Sequence, residues 1–209
     1  DLGGESYRYS LTGMFELSDW DLNLYASSYY MSLINNPTYM LNNPINGDEF
    51  EQEDERILLG GSLRNEVETE IFGIPVMRNI GTDMRYDNVS ELNLFYTVGR
   101  KRINSLREDE AEELSIGAFA DLGFSLTDQL RATLGVRFDY YDFKIEALRP
   151  GNSGSDNDSL WQPKVSLAYS LNENFELYAN YGQGFHSNDA RVAVNTIDPV
   201  TGDPTASLD

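Results

Sequence analysis

The sequence predicts an all-β protein, an antiparallel transmembrane β-barrel segment of about eight long strands. Three observations support this fold class. Apolar and polar residues alternate over long stretches, the connections between the stretches are alternately short and long, and charge is concentrated on one face. A two-residue period indicates strands, because successive side chains of a strand point to opposite faces of its sheet.

The alternation defines eight strands. In the clearest, residues 174–185, Phe175 and Leu177 lie on one face, whereas Glu176 and Asn180 lie on the other. Helical spacing fits none of the segments. The predicted strands span residues 7–17, 20–32, 57–66, 76–86, 114–126, 130–145, 161–171 and 174–185. Their apolar sets are, in that order, Tyr7, Leu11 and Phe15; Trp20, Leu22 and Leu24; Ile57, Leu59 and Leu63; Val76, Ile80 and Met84; Leu114, Ile116 and Leu122; Leu130, Leu134 and Val136; Trp161, Val165 and Leu167; and Phe175, Leu177 and Tyr181.

The connections distinguish a membrane barrel from a soluble sandwich. Soluble sandwiches mix connection lengths without regular parity. Membrane barrels have short periplasmic turns at one rim and long extracellular loops at the other, and their strands exceed the usual length of about 5–6 residues. The short connections here are 18–19, 72–75, 127–129 and 172–173, and the predicted long loops are 33–52, 88–112, 147–159 and residues from 187 onward.

The distribution of charge assigns the two faces of the predicted sheet. Arg137, Asp139 and Lys164 lie at mid-strand on the polar face, which a water-filled or plug-filled lumen tolerates. The opposite face is nearly uncharged, as hydrocarbon requires, because an unpaired charge at the midplane costs about 2–4 kcal/mol. Its exceptions, Arg78 and Asp142, are predicted to lie close to a rim.

Composition excludes several classes of function. The 209-residue chain carries 35 acids and 15 bases, for a net charge of -20, which argues against nucleic acid as a partner. It has no cysteine and one histidine, and it lacks a phosphate loop or nucleophile elbow, so we expect no enzyme, no catalytic residues, no metal site and no cofactor. Mean hydropathy is -0.46, with no apolar run of the roughly 18 residues that a membrane helix needs.

The two ends of the sequence predict a partial domain. The chain begins almost directly on a strand, shows no signal peptide, and ends in a polar stretch. We therefore expect residues 1–209 to form part of a larger barrel, with further strands outside this sequence.

Three elements in the second half of the chain resemble a known family. They are a GxRxD strand at 135–139, a Pro-Lys step at 163–164, and a YxNxGxGF strand at 178–185. Their order and spacing resemble the central barrel strands of TonB-dependent outer-membrane receptors, and the resemblance covers roughly residues 55–195. It implies a 22-stranded barrel with an N-terminal plug and a TonB box, and both of these are absent from the sequence.

The resemblance also implies a function. It indicates TonB-dependent uptake, across the outer membrane of a Gram-negative bacterium, of a scarce ligand such as a ferric siderophore. The implied partners are outer-membrane lipid and lipopolysaccharide, a small ligand such as a metal chelate, and the TonB complex, reached through the missing plug region. A passive porin and a soluble β-sandwich binding module remain open as alternatives.

Two sets of residues are candidate sites. The first lies where the last strand emerges toward a loop, and it could contact a ligand or be an ordinary hydrogen-bonded rim. The second faces the lumen, where it would contact a plug in a receptor or tune ion selectivity in a porin. The ligand-binding set is His186, Asn188, Asp189 and Arg191, and the lumen-facing or plug-facing set is Arg131, Arg137, Asp139, Lys164 and Glu176.

Two charged segments receive simpler predictions. The acidic run at 48–55 lacks the spacing of a calcium loop, so a solvated extracellular loop is expected. The basic cluster at 100–102 is expected to pair with the nearby acids at 108–113, with an anionic chelate or lipopolysaccharide phosphates as the alternative partners.

Overall fold

A computed structural model of the chain describes residues 2–148, 150–184, 196–197 and 203–204, and its strands form one antiparallel sheet in sequence order. This meander confirms the all-β prediction, and the described residues contain no second sheet of the kind a sandwich requires. None of them forms a helix long and apolar enough to span a membrane. The elements are β1 (Gly3–Leu17), β2 (Trp20–Asn35), β3 (Phe50–Ile71), β4 (Ile74–Val98), β5 (Lys101–Ser125), β6 (Leu130–Ala147), a 3-10 turn (Pro150–Asn152), β7 (Gly154–Asn172) and β8 (Phe175–Gly182).

The connections define two ends of the sheet. We call the end with the consistently short turns the lower end, and the opposite one the upper end. The lower end carries connections 18–19, 72–73, 126–129 and 173–174, as the sequence predicts. The upper end carries connections 36–49, 99–100 and 148–153.

Two of the predicted long loops are wrong. Residues 88–112 continue β4 and β5 to a tight turn at Gly99–Arg100, and residues 154–159 belong to β7. Both residues of the turn have positive φ, 56° and 65°, as a two-residue hairpin turn favours. The β4–β5 register shifts three times between Val89 and Thr97, and each shift breaks the alternation that would identify a strand.

The sheet has a polar face and an apolar face, and the apolar face is exposed over much of its area. Leu134 of β6 pairs with Leu122 of β5 and Val165 of β7, yet Leu134 remains 49% exposed. An exposed apolar band of this extent is unusual in a soluble monomer, but it is what a lipid-facing wall requires. Among the described residues, the buried apolar side chains are Val76, Val89, Phe95, Ala111 and Ile145.

Stagger between neighbouring hairpins accounts for a charge on the apolar face. Trp20, at the start of β2, pairs with Asn65, so the β3–β4 hairpin extends further down than the β1–β2 hairpin. Arg78 donates to the side-chain oxygen of Asn65 at 2.7 Å. The side-chain nitrogen of Asn65 donates to the backbone carbonyl of Asp19 at 2.6 Å. Arg78 therefore lies level with a lower-end turn, close to a rim as predicted. Such stagger is what barrel closure demands.

Candidate functional site

The predicted ligand-binding residues lie outside the described residues. His186, Asn188, Asp189 and Arg191 all follow the end of β8 at Gly182, beyond residue 184. Their role as ligand contacts therefore stays a prediction.

The predicted lumen-facing residues lie on the polar face of β6, β7 and β8 and form ion pairs within the wall. Arg131 pairs with Glu176 across β7, and the hydroxyl of Ser170 also donates to Glu176 at 2.9 Å. Arg137 pairs with Asp139 of the same set, and Arg137 and Lys164 each reach an acid that the predicted set lacks. These are Asp83 on β4 and Asp121 on β5. Both acids show the polar-face alternation, but their partners follow only from the strand register.

The strongest of these contacts centres on Arg137. Its guanidinium donates to both carboxylate oxygens of Asp83, at 2.8 and 3.0 Å, and to both of Asp139, at 2.9 and 2.8 Å from Nε. Gln162 of β7 donates to Asp139 at 2.5 Å. Asp139 is only 3% exposed, so its charge depends on these donors.

The contacts of Arg137 form an upper row of ion pairs, and a second row of ion pairs lies closer to the lower end. Lys164 of β7 donates to Asp121 at 2.9 Å, across β6. On β3, Arg64 donates to Asn79 of β4 at 2.9 Å and to Glu66 at 2.5 Å. The cations of these two rows, Arg64, Arg137 and Lys164, are therefore each paired with a carboxylate of the same wall.

The acidic run is not a solvated loop. Glu51 and Glu53 lie in β3 and are 9% and 8% exposed, while Asp48 and Glu49 immediately before the strand are 3% and 4% exposed. The prediction failed because Asp48 is held by residues 38–43 of its own folded loop, while the partners of Glu49 and Glu51 come from the β4–β5 hairpin, about 50 positions away. No group of three or more acidic, histidine or cysteine side chains in the described ranges could hold a metal ion.

Arg102 is the main cationic partner of the acidic run, so its predicted pairing with residues 108–113 is wrong. The guanidinium crosses the ring of Phe95, at 4.1 Å from its centroid, to reach Glu51 at 2.7 Å and Glu53 at 3.1 Å. The pKa of Glu51 is held below its usual value by the hydrogen bond from Arg102. This contact ties β5 to β3 across β4 at the upper end.

Asp48 organises the loop between β2 and β3. Its carboxylate accepts from the Thr38 hydroxyl at 2.7 Å and from the backbone amides of Asn42 and Asn43 at 2.9 and 2.8 Å. Tyr96 of β4 accepts from the Asn43 side chain and donates to the Gly47 carbonyl. The loop is thereby fastened to the β4–β5 hairpin.

Replacing Arg102 with methionine is expected to loosen the upper hairpin, because Glu51 and Glu53 would lose their shared cation. Proteinase K should then cleave the full-length protein near residues 99–100 several times faster than in the wild type. Lys101→Met, at an exposed neighbouring position, is the control and should cleave at the wild-type rate. Equal rates for all three proteins would contradict the role of Arg102.

The upper end is also expected to loosen in acid. Backbone amides of Asn42 and Arg100 hold the pKa values of Asp48 and Glu49, respectively, below their usual range. A lowered folded-state pKa contributes stability that is complete above the ordinary value, about 4, and is lost as pH falls through the lowered one. Hydrogen exchange at residues 97–100, corrected for intrinsic rates, should accelerate below about pH 4. An Asp48→Asn, Glu49→Gln variant should already exchange faster at neutral pH, and unchanged exchange would contradict the prediction.

Comparisons with known proteins agree with this architecture. The family model "TonB dependent receptor-like, beta-barrel" matches residues 1–206. Among solved structures, the unliganded ferric citrate transporter FecA has a TM-score of 0.69 at 15% identity, with 86% of this chain and 27% of FecA covered. The copper transporter OprC has a TM-score of 0.62 at 18% identity, with 92% and 31% covered.

A third similar structure is the ferric yersiniabactin uptake receptor FyuA from Yersinia pestis, with a TM-score of 0.55 at 18% identity and coverage of 84% and 27%. At identities this low, the structural similarity shows the fold alone. The chain spans less than a third of each of the three structures. The matched family and structures are receptors and transporters rather than enzymes. With a family model matching nearly its whole length, the chain belongs to the TonB-dependent receptor-like β-barrel family.

Proposed function

We propose that the chain forms part of the wall of an outer-membrane receptor that imports a scarce ligand, such as a ferric siderophore, with energy delivered through TonB. The family match over residues 1–206 is the observation that carries this proposal. Two features of the sheet support it: the apolar face suits contact with lipid and lipopolysaccharide, and the charge-paired polar face suits the barrel interior.

We further propose that the rest of the barrel, the plug and the TonB box belong to other parts of the same protein. The share of each similar structure that the chain covers, 27% to 31%, supports this division. Within the described residues β1 and β8 each pair with one strand only, and unpaired edges are costly in lipid. In this arrangement those edges pair with further strands, and the plug region provides the contact with TonB.

Family membership favours the receptor over a passive porin, and uptake assays separate the two. A Gram-negative strain expressing the full-length protein, and matched strains lacking the protein or TonB, would be supplied with labelled ferric citrate, copper, other iron chelates, haem and cobalamin. The proposal expects uptake of at least one compound that is lost in both deletions. Uptake that persists without TonB would indicate a passive channel, and the absence of uptake for every compound would contradict transport of a ligand in these classes.

The loop that the sequence predicts after β8 is proposed as a ligand contact. His186→Ala and Arg191→Ala should raise the concentration at which uptake of the identified compound is half-maximal. A matched control is Asp128→Ala, at an exposed lower-end turn on the opposite rim. Equal half-saturation in all variants would contradict a role for this loop in binding.

A further inference from the structure

Two glycines lie directly beneath the ion pairs of the polar face. In the upper row, Gly117 of β5 sits between Asp83 of β4 and Asp139 of β6, with both of which it is in register. The guanidinium of Arg137 passes over the polar face of β5 at this glycine to reach Asp83. A Cβ atom at position 117 would lie 2.1 Å from Nη2 of Arg137 and 2.8 Å from Oδ1 of Asp139, so the ends of both side chains would have to shift to admit a larger residue.

The same arrangement recurs one strand over. Gly135 of β6 is in register with Asp121 of β5 and Lys164 of β7, and the lysine crosses β6 above it. A Cβ atom at position 135 would lie 2.2 Å from Oδ1 of Asp121 and 2.5 Å from Cε of Lys164. Both cations therefore lie along the sheet because the residue they cross has no side chain.

Not every glycine of this face has such a role. Gly123 of β5 also lies on the polar face, in register with Thr133 and Met77. A Cβ atom there would meet its nearest neighbours, Met77 and Thr133, at 3.8 Å, which is ordinary van der Waals contact. Gly123 thus provides an internal control for the effect of adding a methyl group to this wall.

We propose that Gly117 and Gly135 are positioning residues that hold Arg137 and Lys164 flat against the wall, each paired with a carboxylate, so that neither of these two cations is free to bind a passing anionic solute. The inference rests on the proposed function of the polar face as the barrel interior. A pathway must bind its solute weakly enough to release it. Metal chelates that carry carboxylates would be held by exposed Lys or Arg side chains, because an unpaired guanidinium or ammonium binds carboxylates through charge-assisted hydrogen bonds.

Chemical labelling of the full-length protein tests the geometry without requiring transport. Gly135→Ala, Gly117→Ala and Gly123→Ala would be treated with an amine-acetylating reagent and with phenylglyoxal, and the peptides quantified by mass spectrometry. Lys164 acetylation should rise several-fold in Gly135→Ala only, and Arg137 modification should rise several-fold in Gly117→Ala only. Wild-type labelling of these two residues in the corresponding folded variants would overturn the proposal.

A variant that keeps both glycines guards against misfolding of the alanine variants. Asp121→Asn removes the partner of Lys164 without adding a Cβ atom, and it should raise Lys164 acetylation to a similar degree. Retention of labelled citrate by the purified protein should increase in Gly117→Ala, Gly135→Ala and Asp121→Asn and stay at the wild-type level in Gly123→Ala. Unchanged retention despite increased labelling would overturn the link to solute passage, whereas the uptake assays alone decide the transport function.

Discussion

Replacing Val136 with arginine is expected to destabilise the barrel by about 2–4 kcal/mol, the cost of a basic side chain at the bilayer midplane. Val136 lies on the apolar face of β6, six residues above the start of the strand at Leu130, and is 40% exposed. At about 3.3 Å per residue and a tilt near 40°, it lies roughly 15 Å above the lower rim, near the middle of an apolar band about 25 Å tall. Unfolding of the full-length protein by guanidinium chloride in lipid vesicles measures this cost as a difference in the free energy of unfolding.

Leu130→Arg is the matched control for depth. It places the same side chain on the same face of the same strand, but at the lower rim, where the expected cost is about 0–1 kcal/mol. Equal costs at the two positions would contradict the assignment of the apolar face to hydrocarbon. A smaller cost at Val136 than at Leu130 would place the span elsewhere along the strand.

Replacing Arg137 with methionine is expected to cost about 2 kcal/mol, because Asp139 would lose its principal cation while remaining almost fully buried. Removal of one partner from a fully buried pair costs about 3–5 kcal/mol. A smaller value applies here, since the Arg137 side chain is 35% exposed and Gln162 still donates to Asp139. The same unfolding experiment measures the loss.

Arg131→Met is the control for this second prediction. Arg131 lies on the same strand and face and also pairs with an acid, Glu176, but its side chain is 59% exposed. An exposed pair contributes about 0–1 kcal/mol, so the control should unfold nearly as the wild type does. If the two variants lost the same stability, burial of Asp139 would not be what makes the Arg137 contacts important. An Arg137→Met, Asp139→Asn double variant should recover part of the loss.

The strands were predictable wherever alternation is unbroken. Six of the eight predicted strands lie within an observed one, and 114–126 runs one residue past the end of β5. The last, 174–185, begins one residue before β8 and runs beyond the described residues. The prediction failed at 88–112, because three register shifts in β4–β5 disturb the two-residue period and because charged residues are dense in the first half of β5. Bulges are consequences of pairing, so a single strand read by itself does not reveal them.

The candidate site was predictable only in part, and for a related reason. Alternation places Arg137 and Lys164 on the polar face, but it does not identify Asp83 and Asp121 as their partners, which lie 54 and 43 positions away. Likewise, the sequence predicts a solvated acidic run because Arg102, its partner, is about 50 residues distant. Contacts of this kind depend on the register among three or four strands.

The sequence by itself therefore determined the existence of eight strands and their two faces, because the side-chain period of a strand is a local property of consecutive residues. The motifs at 135–139, 163–164 and 178–185 indicated the family. Only the tertiary structure decided which charges neutralise one another, how far the strands extend at the upper end, and why Gly117 and Gly135 lack side chains. Each of these depends on atoms that separate strands bring within a few ångströms, and the stagger of the sheet sets those distances.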